Sequence, residues 1–103
     1  MGEDLASIRR FVEELASSYR IEAAYLFGSR VRGDHLLFSD IDLLLVSNDF
    51  QGMFFTDRMA EVLRRWKGEV DLQAFCYTVE EFERKRHQLG LVREALAHGI
   101  RLL

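Results

Sequence analysis

Apolar positions recur along this chain with two different periods. Leu5, Ile8, Val12, Leu15 and Tyr19 return at steps of three and four, which is one face of a helix, and predict a helix over about residues 3–19. Residues 21–27, IEAAYLF, are apolar or small at nearly every position, so they predict a strand covered on both faces that ends at Gly28. Residues 30–33 leave room for one or two helical turns, and 34–38 read as a loop. Ile41 to Val46 predicts a second strand, with turn residues Ser47-Asn48-Asp49 after it. Thr56 then caps a helix running to about Lys67, with Met59, Val62, Leu63 and Trp66 inward and Gly68 as its stop. Val70 to Phe75 predicts a third strand. Thr78-Val79-Glu80-Glu81 has the spacing of a capping box and opens a helix to about His87. A last helix covers about 91–98 and stops at Gly99, and Ile100 to Leu103 adds a short edge strand. The order α-β-α-β-α-β-α-α-β predicts an α+β domain of α/β-like character, a small mixed β-sheet flanked by helices.

One stretch resists this reading. In LFGSRVRGDHLLFSDIDLLLV, residues 26–46, two aspartates enter an apolar strand one residue apart. Side chains alternate along a strand, so Asp40 and Asp42 share one face about 7 Å apart along the backbone. Two anions 4 Å apart at an effective dielectric near 20 repel by about 4 kcal/mol. Solvent at the strand's start, a pair of basic side chains or a divalent metal would each offset that cost. Asp71 lies in EVDLQAF, again a charge in an apolar strand. If strands 41–46 and 70–75 are neighbours, Asp71 reaches the same face. Three carboxylates with no nearby histidine suit Mg²⁺ or Mn²⁺ better than Zn²⁺.

Gly28-Ser29 joins the first strand to the short helix. Glycine tolerates positive φ and lets a ligand approach the backbone. Ser29 can cap the helix or donate its hydroxyl to a phosphate, the helix start is an anion site, and Arg30 and Arg32 add positive charge beside it. Alone, this is an ordinary capped turn with surface arginines. Followed by a carboxylate cluster, it describes a metal–triphosphate site of the kind used in two-metal phosphoryl or nucleotidyl transfer.

Composition narrows the choice. The 103 residues fit one domain, 1–103, and the net charge of -3 argues against a protein that holds nucleic acid by general phosphate neutralisation. Residues 1–20 are charged throughout, unlike a signal peptide, and no apolar run reaches membrane-spanning length. The single cysteine, Cys76, forms no internal disulfide, which suits a cytoplasmic location.

Gly28-Ser29-Arg30-Val31-Arg32-Gly33, then Ser39-Asp40-Ile41-Asp42-Leu43, then Val70-Asp71-Leu72, resembles the minimal nucleotidyltransferase branch of the DNA polymerase beta superfamily. The pattern there is GS-x-x-x-G, then S-D-x-D-L, then a third Asp on a later strand. The resemblance runs over nearly the whole chain and implies a polymerase beta palm-like nucleotidyltransferase fold. It implies that Gly28 and Ser29 bind the β- and γ-phosphates of a nucleoside triphosphate; Arg30, Arg32 and Ser39 are expected beside them at the nucleotide, and ATP is the expected triphosphate although no base-reading element is recognisable. Asp40 and Asp42 would hold two Mg²⁺ ions, with Mn²⁺ as substitute. Asp71 would ligate the catalytic metal and help to deprotonate the attacking hydroxyl, which displaces pyrophosphate from the α-phosphorus. Small proteins of this kind are often the antitoxin of a pair with a HEPN-type helical RNase toxin, and some transfer AMP to a toxin tyrosine. The chain has room for the catalytic core and little else, so the acceptor would be bound by a partner or a second copy, or be the partner itself. A different class of reading is a non-catalytic antitoxin that neutralises its partner by covering it. Transfer to a small acceptor such as an aminoglycoside fits less well, because no acceptor domain follows.

Other residues carry plainer expectations. Met53, Phe54 and Phe55 follow a glycine in a loop and are expected to pack in the core; because adjacent aromatics cannot all face one core direction, the alternative is that at least one is exposed and docks a partner. Trp66 and Cys76 read as core. His35 reads as a surface loop residue between the cradle and the aspartates. His87 and His98 sit late in helices, where the negative helix end favours them. Arg84, Lys85 and Arg86 read as a solvated helix face.

Overall fold

The computed structural model describes residues 4–28 and 40–103. The short helix expected at 30–33, the loop at 34–38, His35, Ser29, Arg30, Arg32 and Ser39 lie outside the described residues. Helix α1, Leu5–Ala16, starts where Asp4 accepts a hydrogen bond from the Ser7 N–H at 2.8 Å. It buries Ile8, Phe11, Val12 and Leu15. Three strands follow, β1 at Ala23–Phe27, β2 at Ile41–Val46 and β3 at Leu72–Tyr77, with β4 at Ile100–Arg101. A 3-10 turn, Asn48–Phe50, and helix α2, Phe55–Leu63, connect β2 to β3. Helices α3, Val79–Lys85, and α4, Leu91–His98, separate β3 from β4.

The four strands lie in the order β3-β2-β1-β4. β1 pairs antiparallel with β2 and β4, whereas β2 and β3 run parallel. The sheet is therefore mixed and the class α+β, as the hydrophobic pattern predicts. Strand alternation sorts the core into two layers. Ala24, Leu26, Ile41, Leu43, Leu45, Leu72, Ala74 and Cys76 face one side with the apolar stripes of α1 and α2. Ala23, Tyr25, Phe27, Leu44, Val46 and Tyr77 face the other, with Phe82 of α3 and Val92 and Ala95 of α4. Both faces of β1 are buried, so its apolar run needs no polar parity.

Several boundaries differ from those expected. α1 ends at Ala16, where the Ser17 hydroxyl donates to the Glu14 carbonyl at 2.6 Å. Residues 21–22 precede β1. The third strand is 72–77, not 70–75, because pairing with β2 matches Ile41 to Leu72 and Val46 to Tyr77. Val70 stays in the core before the strand and accepts the Trp66 indole N–H at 2.8 Å. α2 is capped by Phe54, not Thr56, and ends at Leu63, so Trp66 follows the helix and is half-buried. Its buried residues are Arg58 and Val62, whereas Leu63 is 37% exposed. Phe54 is 79% exposed, against the expected core packing. The capping box holds: Thr78 accepts the Glu81 N–H at 3.2 Å and Glu81 accepts the Thr78 N–H at 2.8 Å. That helix ends at Lys85, two residues short of His87, and the run Arg84–Arg86 is exposed as expected. Cys76 is buried, which pushes its thiol up to about 12. Among the described residues no helix is long and apolar enough to cross a membrane.

Candidate active site

The parallel register gathers the expected carboxylates at one end of one sheet face. Asp42 pairs with Phe27 on one side and Gln73 on the other. Asp40 stands two residues earlier on the same face. Asp71 does not lie inside a strand, as expected, but directly before one. Its carbonyl accepts the Ile41 N–H at 2.9 Å, so the pairing continues past Leu72 and sets Asp71 opposite Asp40. Val70 and Leu72 both point into the α1/α2 layer, which turns Asp71 to the other face, the face of Asp42. Neighbouring strands run about 4.8 Å apart, so Asp40 and Asp71 stand on adjacent strands, with Asp42 two residues further along β2 on the same face.

The remainder of that face explains why they stay near solvent. Helices α3 and α4 cover its Val46–Tyr77 end. Phe27 and Phe75 meet across the sheet with ring centroids 5.8 Å apart, and the face turns polar directly beyond them. Asp42 is half-buried, and Asp40 and Asp71 are exposed. Gln73 was missed in the sequence, though it follows Asp71 at strand spacing and therefore shares its face. Its side-chain Nε2 donates to Asp40 Oδ2 at 3.2 Å. A neutral amide fixes one oxygen of Asp40 without competing as a cation would.

Gly28 closes the site from β1. Its φ of +84° is a conformation that L side chains rarely adopt. A Cβ here would also overlap Asp42 Oδ2. The turn is therefore in direct contact with the carboxylate, and two independent constraints require glycine. Ser29, Arg30, Arg32 and Ser39, expected at the nucleotide, are outside the described residues.

The donor chemistry bears on a metal. Among the described residues no three His, Cys, Asp or Glu side chains stand close enough to form a metal cage. The set around Asp40, Asp42 and Asp71 is all oxygen and carboxylate, without imidazole or thiolate. Such a set fits a hard cation that keeps positions for water or phosphate oxygens, the habit of Mg²⁺, rather than a closed protein cage.

Similarity to known proteins agrees with this geometry. Residues 7–102 match the family model described as a nucleotidyltransferase domain. Over 85 residues the chain is 32% identical to the "Probable protein adenylyltransferase MntA" of Haemophilus influenzae, covering 79% of this chain and 70% of that protein. Over 88 residues it is 38% identical to a "Putative protein adenylyltransferase" of Methanocaldococcus jannaschii, covering 82% of this chain and 83% of that one. A crystal structure titled as a "putative nucleotidyltransferase" from Sulfolobus solfataricus shares 42% identity and a TM-score of 0.59, over 75% of this chain and 68% of the other. With a family match that takes in every described strand, and carboxylates gathered beside a glycine turn, the chain belongs to the nucleotidyltransferase domain family and is a nucleotidyltransferase, which takes a nucleoside triphosphate as substrate.

Proposed function

We propose that this nucleotidyltransferase moves AMP from ATP to a hydroxyl of a partner protein. The observation that carries this reading is the convergence of Asp40, Asp42 and Asp71 on one sheet end against Gly28. The names of the two curated relatives support a protein as acceptor. Gly28 and Ser29, with Arg30, Arg32 and Ser39, hold the triphosphate. Asp40, Asp42 and Asp71 would hold two Mg²⁺ ions, or Mn²⁺ in their place. Bound there, the metal supplies Lewis-acid stabilisation of charge on the phosphates. Asp71 takes the proton from the acceptor hydroxyl, whose oxygen bonds to the α-phosphorus as the bond to pyrophosphate breaks. Gln73 keeps the Asp40 carboxylate turned for binding.

Residues 1–103 would act as one minimal domain whose acceptor is brought by another chain. A HEPN-type helical toxin fits that role, with this chain as its cytoplasmic antitoxin. The exposed Phe54 favours a second reading, in which binding alone neutralises the partner. One experiment separates the two. Wild type and the Asp40→Asn, Asp42→Asn double variant are given α-³²P-ATP, Mg²⁺ and the protein encoded beside them, if that is a small helical protein. Label on that protein with wild type only is the expected result. A stable complex with no label from either would replace transfer by binding.

A further inference from the structure

Opposite the carboxylates, the end of the sheet near Tyr77 carries a second feature, apart from the groups placed at the reacting phosphate. Met53, Phe54, Phe55, Tyr77, Arg84 and Lys85 line an open groove of about 480 Å³. Phe55 meets Tyr77 within it, with ring centroids 5.5 Å apart and the rings tilted by 51°. Phe54 stands beside it, 79% exposed. A lone exposed apolar residue is ordinary. Phe54, however, occupies the N-cap of α2 with no side-chain cap hydrogen bond, where Ser, Thr, Asp or Asn would stabilise the helix. A position that breaks a local rule without a gain in packing points to use elsewhere.

The charge around the groove is one-sided. Arg58 at its base is neutralised by Glu81 at 2.6 Å. Among the described residues Arg84 reaches only the highly exposed Glu80, at 3.6 Å. Lys85 has no acidic partner among the described residues. A cationic rim thus frames these aromatic rings on a chain of net charge -3. We infer that this groove docks a segment of another protein that offers an apolar side chain to Phe54 and Phe55 and a carboxylate to Arg84 and Lys85. Two cations are too few to hold a nucleic acid on an acidic body. A second copy docked groove to groove would bring two cationic rims together. Six residue steps along β3 separate Tyr77 from Asp71, about 20 Å. A chain docked here leaves the carboxylates open, so the groove can hold a protein acceptor while its hydroxyl enters the site. That last role rests on the reading of the acceptor as a protein.

The test places the photocrosslinker benzoylphenylalanine at position 54 in the full chain, in the cell that normally makes it. The same group at Leu89, 87% exposed, serves as control. The expected crosslink joins one protein through a peptide with Asp or Glu within one helical turn of the joined residue. Arg84→Glu with Lys85→Glu should cut it at least tenfold. Phe54→Ser, which adds a cap and keeps the fold, should weaken labelling of that protein from α-³²P-ATP about tenfold by raising KM, with kcat nearly unchanged. Crosslinks to nucleic acid, to a second copy, or to the set caught from Leu89 would overturn the inference. So would indifference to the charge reversal. If the expected crosslink forms but its protein takes no label, docking stands and the acceptor reading falls. If label transfer ignores Phe54→Ser, transfer stands and the groove falls.

Discussion

The two ends of β3 treat charge in opposite ways. Near Tyr77, Arg58 is enclosed. Its Nε donates to the Met53 carbonyl at 3.1 Å, and its Nη1 to the Cys76 carbonyl at 3.1 Å and to Glu81 Oε1 at 2.6 Å. Loop, strand and helix are tied by one guanidinium. At the other end Asp40 and Asp71 stand side by side in solvent, like charges on adjacent strands, and the partner of Asp40 is a neutral amide. Removing Glu81 from the first would leave a buried guanidinium without its counter-charge. The second leaves two like charges side by side, a repulsion that a bound cation would offset.

That contrast is easiest to break with the aspartates. Asp40→Asn with Asp42→Asn should lower nucleotidyl transfer by about 10³-fold or more, beyond the loss typical of removing one electrostatic stabiliser. Its Tm should stay within about 5 °C of wild type. A collapse of Tm would make these carboxylates structural, like Arg58. Conversely, Arg58→Ala should cost about 3 kcal/mol by urea denaturation, because Glu81 and two carbonyls lose their donor.

The same variant sharpens the pH dependence. The Arg58 guanidinium holds the Glu81 carboxyl below its ordinary value. A folded value below the unfolded one means that the stability it confers is complete above the unfolded value and fades as pH falls through the folded one. Acid titration of stability should show that loss below about pH 4.5 in wild type. Arg58→Ala should flatten it.

Gln73→Leu should raise the Mn²⁺ concentration needed for half-saturation in the presence of ATP about tenfold, read by electron paramagnetic resonance, as loss of a ligand-orienting hydrogen bond does. Its Tm should not move. Thr78→Ala, which removes half of the capping box, should cost about 1 kcal/mol and leave transfer unchanged.

Much of this was readable in the chain. β2 lies at Ile41–Val46 as its apolar run implies, and the Thr78–Glu81 box works as written. These signals are local, resting on a hydrophobic run or a cap at fixed spacing. Arg58 was not readable, because its carboxylate partner lies 23 residues away and an arginine in a helix ordinarily faces water. The start of β3 was missed for a related reason. Val70 is as apolar as the strand, and only pairing with β2 decides which residues join the ladder. Asp71 keeps its place among the carboxylates because the register that matches Ile41 to Leu72 continues back to it, opposite Asp40. A slip of one residue in that pairing would turn it to the other face.

One consequence concerns time. β2 is paired on both sides and is buried along nearly its whole length. Its amides should be among the last to exchange with deuterated solvent, opening only when the molecule unfolds. Asp42 belongs to that strand, and Asp40 enters it. The backbone beneath these carboxylates should therefore stay closed through every local opening of the helices around it.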